Sequence, residues 1–107
     1  MHSRPSIFWY ASDMSHANAD LQRFLHAIAD SARRRILRLL REKEDAGVLC
    51  ASEIEGGMKL SQPTISHHMR ILEKAGLVEV KRDGHFRRYR RNDKWIAEMT
   101  RSLRKEL

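Results

Sequence analysis

Residues 60–78, Leu-Ser-Gln-Pro-Thr-Ile-Ser-His-His-Met-Arg-Ile-Leu-Glu-Lys-Ala-Gly-Leu-Val, constrain the fold more than any other stretch of the chain. They read as one helix with a marked start and a marked end. Ser61 is suited to cap it, because its hydroxyl can accept from an orphan amide, and Pro63 fits the first turn, where no intrahelical donor is lost. Gly76 can take the left-handed conformation that closes a helix. Ile65, Met69 and Leu72 fall four and three residues apart and share one face, while Gln62, Ser66, His67 and Arg70 point largely the other way. Together with Ser61 and Thr64, that second set carries the donors and acceptors that bond base edges and phosphates in a major groove. The pattern predicts a helix that packs on one side and meets DNA on the other.

The flanking segments supply a setting for it. From about Asn18, Leu21, Phe24, Leu25 and Ile28 recur at helical spacing. Asp30 and Ser31 offer a cap for a second helix over about residues 32–43, which buries Ile36, Leu37, Leu39 and Leu40 and shows Arg34, Arg38 and Arg41 to solvent. Asp45, Ala46 and Gly47 break it. The next three residues, 48–50, are long enough only for a minimal strand, and Ser52 is expected to cap a brief helix from Glu53 that Gly56 and Gly57 weaken by about 1 kcal/mol each.

After Gly76 the apolar period changes from helical to alternating. Residues 77–81 and 86–90 flank Asp83-Gly84, a hairpin signal, and Asn92-Asp93 caps a last helix with Ile96, Met99 and Leu103 in a stripe beside Trp95. The expected architecture is mainly α with a small β-hairpin wing, a winged helix-turn-helix over residues 18–107, preceded at 1–17 by an arm or short helix with an aromatic start at Ile7-Phe8-Trp9-Tyr10.

A chain of 107 residues makes one small domain, with 21 Lys and Arg against 14 Asp and Glu and a net charge of +7 that favours a polyanionic partner. No apolar run reaches the length of a membrane span, the first ten residues do not make a signal peptide, and Cys50 stands alone, so a cytoplasmic protein is expected. Enzyme readings find no support. There is no phosphate-cradling glycine loop or nucleophile elbow, and Cys50 has no evident base partner. Much of the charge lies in the hairpin, where Lys81, Arg82, Arg87, Arg88, Arg90 and Arg91 cannot all face one way. Arg82, His85, Arg87 and Arg88 are the wing residues expected to reach phosphates or a minor groove.

Asp30-Ser31-Ala32-Arg33-Arg34-Arg35-Ile36-Leu37, the helix from Leu60 to Met69 with Ala75-Gly76-Leu77-Val78, and the wing from Lys81 to Tyr89 together resemble the ArsR/SmtB family of bacterial winged-helix regulators. The resemblance covers roughly residues 20–105 and implies a homodimeric repressor bound to a roughly palindromic DNA operator. It departs at Ser31-Ala32, at Gly56-Gly57, at Lys59, where the family often has glycine, and at Arg87 and Arg91, which make this wing unusually basic. The stripes Leu21, Phe24, Leu25, Ile28 and Trp95, Ile96, Met99, Leu103 exceed what so small a core needs, so a dimer seam is expected there, with part of each stripe completing the protomer's own core.

Many members of the family sense metals, and those sites are expected to be absent here. Where a Cys-x-Cys is usual the chain reads Cys50-Ala51-Ser52, so one of the two thiolates is missing, and the last helix offers the carboxylates Asp93, Glu98 and Glu106 with no histidine beyond His85 to complete a zinc site. No metal and no cofactor is expected, and the sequence names no effector. The alternative is a winged-helix module that docks a partner protein with the same helix.

Overall fold

Asp30 stands in the turn between the first two helices and begins the second. Its Oδ1 accepts from the amides of Ala32 (2.8 Å) and Arg33 (3.2 Å), so it caps the helix that follows. The computed structural model describes residues 13–42 and 49–107, so the expected aromatic arm and the break at Asp45-Ala46-Gly47 lie outside the described residues. Within them the order is α1 (Asp13–Ile28), α2 (Ser31–Glu42), β1 (Leu49–Cys50), α3 (Ala51–Met58), α4 (Gln62–Lys74), β2 (Val78–Asp83), β3 (Phe86–Arg91) and α5 (Asp93–Glu106). This is a mostly helical winged helix-turn-helix, with α3 and α4 as the central pair and β2–β3 as the wing. Helix α1 begins at Asp13, five residues ahead of the apolar periodicity that marks it in the sequence.

One core holds these elements together. Ile36 and Leu40 of α2, Ile54 of α3, Ile65, Met69 and Leu72 of α4, and Leu77 are buried almost completely. At about 25 cal/mol per Å² of apolar surface removed from water, these side chains supply most of the drive to fold. The minimal strand exists: β1 pairs antiparallel with β3, Leu49 opposite Tyr89 and Cys50 opposite Arg88, giving a sheet of order β1-β3-β2.

Three local expectations change. Helix α3 is capped at Cys50, whose amide donates to Glu53 Oε1 at 2.9 Å, and so starts ahead of Ser52. The paired glycines do not break it. A Cβ on Gly57 would lie 2.8 Å from Leu39 Cδ2, so the end of the Leu39 side chain takes the space beside this glycine, while Gly56 faces open space. Lys59 takes the left-handed conformation (φ 58°) that ends α3, at a steric cost of about 1–2 kcal/mol that a glycine there would avoid.

Candidate nucleic-acid interface

Helix α4 is fixed at both ends by its own sequence. Ser61 Oγ accepts from the Thr64 amide at 3.4 Å and lies 2.9 Å from Thr64 Oγ1. At the other end Gly76 (φ 80°) closes a Schellman motif: the Leu77 amide reaches Leu72 O at 3.0 Å and the Gly76 amide reaches Glu73 O at 2.9 Å. Leu72 and Leu77 are both fully buried beneath that turn, which sets the angle at which the chain leaves α4 for the wing.

Between these ends the helix has two distinct sides. Ile65, His68, Met69 and Leu72 are buried. Ser61, Gln62, Thr64, His67 and Arg70 are exposed and Ser66 is half-buried, so all six expected reading residues are accessible at least in part, with Gln62, Ser66, His67 and Arg70 grouped on one side of the helix. Gln62 Nε2 donates to Ser66 Oγ at 2.9 Å, one turn on, which lays the amide along the helix surface. An amide held there can present its acceptor and remaining donor to an adenine edge.

The wing shows why its charges divide. In the β2–β3 register Val78 faces Arg91, Val80 faces Tyr89 and Arg82 faces Arg87, while Glu79 faces Arg90, Lys81 faces Arg88 and Asp83 faces Phe86. Alternation therefore puts Arg82 and Arg87 on one face of the ribbon and Lys81 and Arg88 on the other. Both are like-charge pairs directly across strands, an arrangement that destabilises an isolated hairpin. A polyanion laid against the ribbon relieves that repulsion. Gly84 (φ 63°) and His85 form the two-residue loop, and Phe86 beside it is 60% exposed, an aromatic side chain at the wing tip that charge counting overlooked.

The basic surface is smaller than the sequence suggests. Arg91 is not a free wing cation: its Nη1 donates to Leu37 O at 3.0 Å and its Nε to Asp93 Oδ1 at 2.7 Å, tying the end of the wing to α2 and α5. Arg90 is engaged by Glu79, with Nη2 and Nε at 2.8 and 3.2 Å from Oε1. Arg82, His85 and Arg87 remain exposed.

Arg33 is the residue that sequence reasoning missed. It is only 6% exposed, and its whole guanidinium is used. Nε donates to Ala27 O at 2.7 Å and Nη2 to His26 O at 3.0 Å, satisfying carbonyls in the last turn of α1. Nη1 lies 3.2 Å from His68 Nδ1 on α4 and 3.8 Å from Asp30 Oδ2. Burial, then the charges of Arg33 and His67, push the His68 imidazole below its ordinary value against the opposing pull of Asp30. Burial disfavours the charge on Asp30, but the amides of Arg33 and Ala32 and the charge of Arg33 outweigh it and hold the carboxyl below the usual range.

Of the expected seam residues, Leu21, Phe24, Trp95 and Met99 are buried within the protomer, whereas Leu25, Ile28, Ile96 and Leu103 are only partly covered. Trp95 Nε1 donates to Ala75 O at 2.9 Å. Cys50 is half-buried, its Sγ 3.2 Å from Ser52 Oγ, and among the described residues no group of three or more His, Cys, Asp or Glu is placed to hold a metal ion. No helix among the described residues is long and apolar enough to cross a membrane.

A capped, polar-faced helix presented beside a basic ribbon is the arrangement of DNA-binding transcriptional regulators of the winged helix-turn-helix class. Residues 30–80 match the family model for bacterial regulatory proteins of the arsR family. The arsenical resistance operon repressor of Staphylococcus aureus is 34% identical over 84 residues, 78% of this chain and 77% of that protein. An ArsR-like transcriptional regulator from Rhodococcus sp. RHA1 superposes with a TM-score of 0.72 at 27% identity, covering 84% of this chain and 81% of that one. A homodimeric winged helix-turn-helix DNA-binding domain from Mycobacterium bovis shares the fold at 22% identity, with a TM-score of 0.71 over 86% of this chain and 82% of its own. The chain belongs to the arsR family of bacterial regulatory proteins.

Proposed function

We propose that the chain is a cytoplasmic homodimeric repressor that covers a promoter operator and keeps polymerase from it. The observation that carries this is the accessible face of α4, where Gln62, Ser66, His67 and Arg70 stand together with Ser61 and Thr64 at its start. Gln62 and His67 read base edges, Ser61, Thr64, Ser66 and Arg70 bond phosphates or bases, and Arg82, His85, Arg87 and Arg88 hold the flanking backbone.

Leu25 and Ile28 of α1 and Ile96 and Leu103 of α5 supply the dimer seam, since their apolar surface is left partly uncovered on two helices that pack against each other. The structural neighbour from Mycobacterium bovis is homodimeric, which supports a dimer of this chain. A two-fold dimer sets its reading helices about 34–36 Å apart, or a multiple, and so calls for a roughly palindromic site. Genomic footprinting of the purified protein tests the proposal. The expected result is discrete protected sites with two-fold sequence symmetry near promoters. Uniform protection that vanishes with modest salt would instead mark charge-driven binding without reading.

A further inference from the structure

Two helices with separate tasks are joined through one buried pair. Arg33 is clamped to the last turn of α1 by two carbonyls, at 2.7 and 3.0 Å, and carries that anchorage across to His68 on α4 at 3.2 Å. The donor inventory fixes the state of this contact. A guanidinium has no acceptor and keeps its proton at any ordinary pH, so Nδ1 of His68 must offer a lone pair. His68 is therefore neutral, with its proton on Nε2. A second proton would remove that acceptor and set two cations face to face in a place where His68 is only 8% exposed.

The contact also reaches the reading face. The rings of His68 and His67 lie 5.9 Å apart between centroids, tilted by 50°, so the buried pair borders the exposed His67. Three charged groups act on His68: Asp30 from the α1–α2 turn, Arg33 from α2 and His67 from its own helix. Helices α1 and α3 and strand β2 also pack against α4, and among the described residues none of their charged side chains adds to these three. Asp30 favours the protonated imidazole, but it is half-exposed and shared with Arg33 and two amides, and burial outweighs its pull.

We propose that Arg33 is a positioning residue for operator reading: through neutral His68 it holds the recognition helix against the end of α1, and protonation of His68 releases that hold and weakens specific binding. This rests on α4 being the reading helix. It makes acidification a signal that lowers specific affinity, although added positive charge by itself strengthens contact with any DNA.

The test uses the full chain and the duplex that the wild-type protein selects from a randomised pool at pH 7.5. The ratio of its affinity to that for random duplex is then followed down to pH 5.5. For the wild type this ratio should fall about tenfold, within the usual range of coupling between sites. His68→Gln keeps an acceptor for Arg33 but cannot titrate, so its ratio should match the wild type at pH 7.5 and stay flat. Arg33→Lys, which cannot make the fork, should lose specificity at both pH values. Long-range 1H–15N correlation should show a pyridine-like Nδ1 for His68 at pH 7.5, independently of DNA. Superimposed profiles for wild type and His68→Gln, or a protonated Nδ1 at pH 7.5, would overturn the proposal while leaving base reading intact. Failure of the randomised pool to yield any preferred duplex would overturn base reading and this proposal together.

Discussion

Trp95 donates its indole N–H to the carbonyl of Ala75 at 2.9 Å, which ties the first turn of α5 to the C-cap of the recognition helix. Asn92 holds that first turn in place by accepting from the Trp95 amide at 3.1 Å. A helix proposed to carry half of the dimer seam is thus bonded to the end of the helix proposed to read DNA. Trp95→Phe keeps most of the ring and loses this bond, leaving a buried carbonyl without its indole donor. Stability should fall by about 1–3 kcal/mol in urea unfolding. An unchanged midpoint would mean that Ala75 O finds another donor without cost.

Arg82 and Arg87 face each other across the wing and are both exposed. Replacing either with alanine should lower affinity for specific and random duplex alike. It should also flatten the slope of log affinity against log salt by about 0.9 for each phosphate that the variant leaves without its arginine. Arg91→Ala is the contrast: its bonds to Leu37 O and Asp93 are internal, so it should reduce thermal stability more than it changes the salt slope. Identical salt slopes for wild type and both tip variants would take the wing off the DNA.

The pH dependence of folding follows from His68 and Asp30. The unfolded imidazole takes up a proton near its ordinary value of 6.5, while the folded one is held lower by burial first and by Arg33 and His67 next. As pH drops below 6.5 the unfolded state binds the proton first, so stability is lost until the folded value is passed. Asp30 adds a second loss further down, below its ordinary 3.8, as its carboxyl protonates and its hydrogen bonds to the α2 amides weaken. The thermal midpoint should therefore decline from pH 7 to pH 5 in the wild type and decline less in His68→Gln. Parallel curves would remove His68 from the titration.

Leu103 of α5 packs against the core but is only partly covered in the protomer. Leu103→Asp should leave the circular dichroism of the helices intact and convert a dimer to a monomer by light scattering. A persistent dimer would move the seam elsewhere.

Local rules made α4 legible, because a cap, a proline, a terminal glycine and an apolar repeat all lie within residues 60–78. The hairpin was legible for the same reason. What the sequence did not disclose depends on partners far along the chain. The apolar repeat of its helix gave Arg33 no place, yet it meets His68, 35 positions away. Arg91 looked like wing charge, but its carbonyl partner on Leu37 is 54 positions away. In both cases the long side chain crosses to a helix that no periodicity links to it. The paired glycines misled in the other direction. Propensity counts what Gly57 costs α3, whereas the fold uses the space it leaves for Leu39.

The most direct test of the reading helix is competition between a selected operator duplex and random duplex for wild type, Gln62→Ala and His67→Ala. Both side chains are exposed on α4, so the variants should fold as the wild type does. Each should lose about 1–3 kcal/mol of specific binding, with little change on random duplex. Equal losses on both duplexes, or none on either, would contradict the claim that this face of α4 reads sequence.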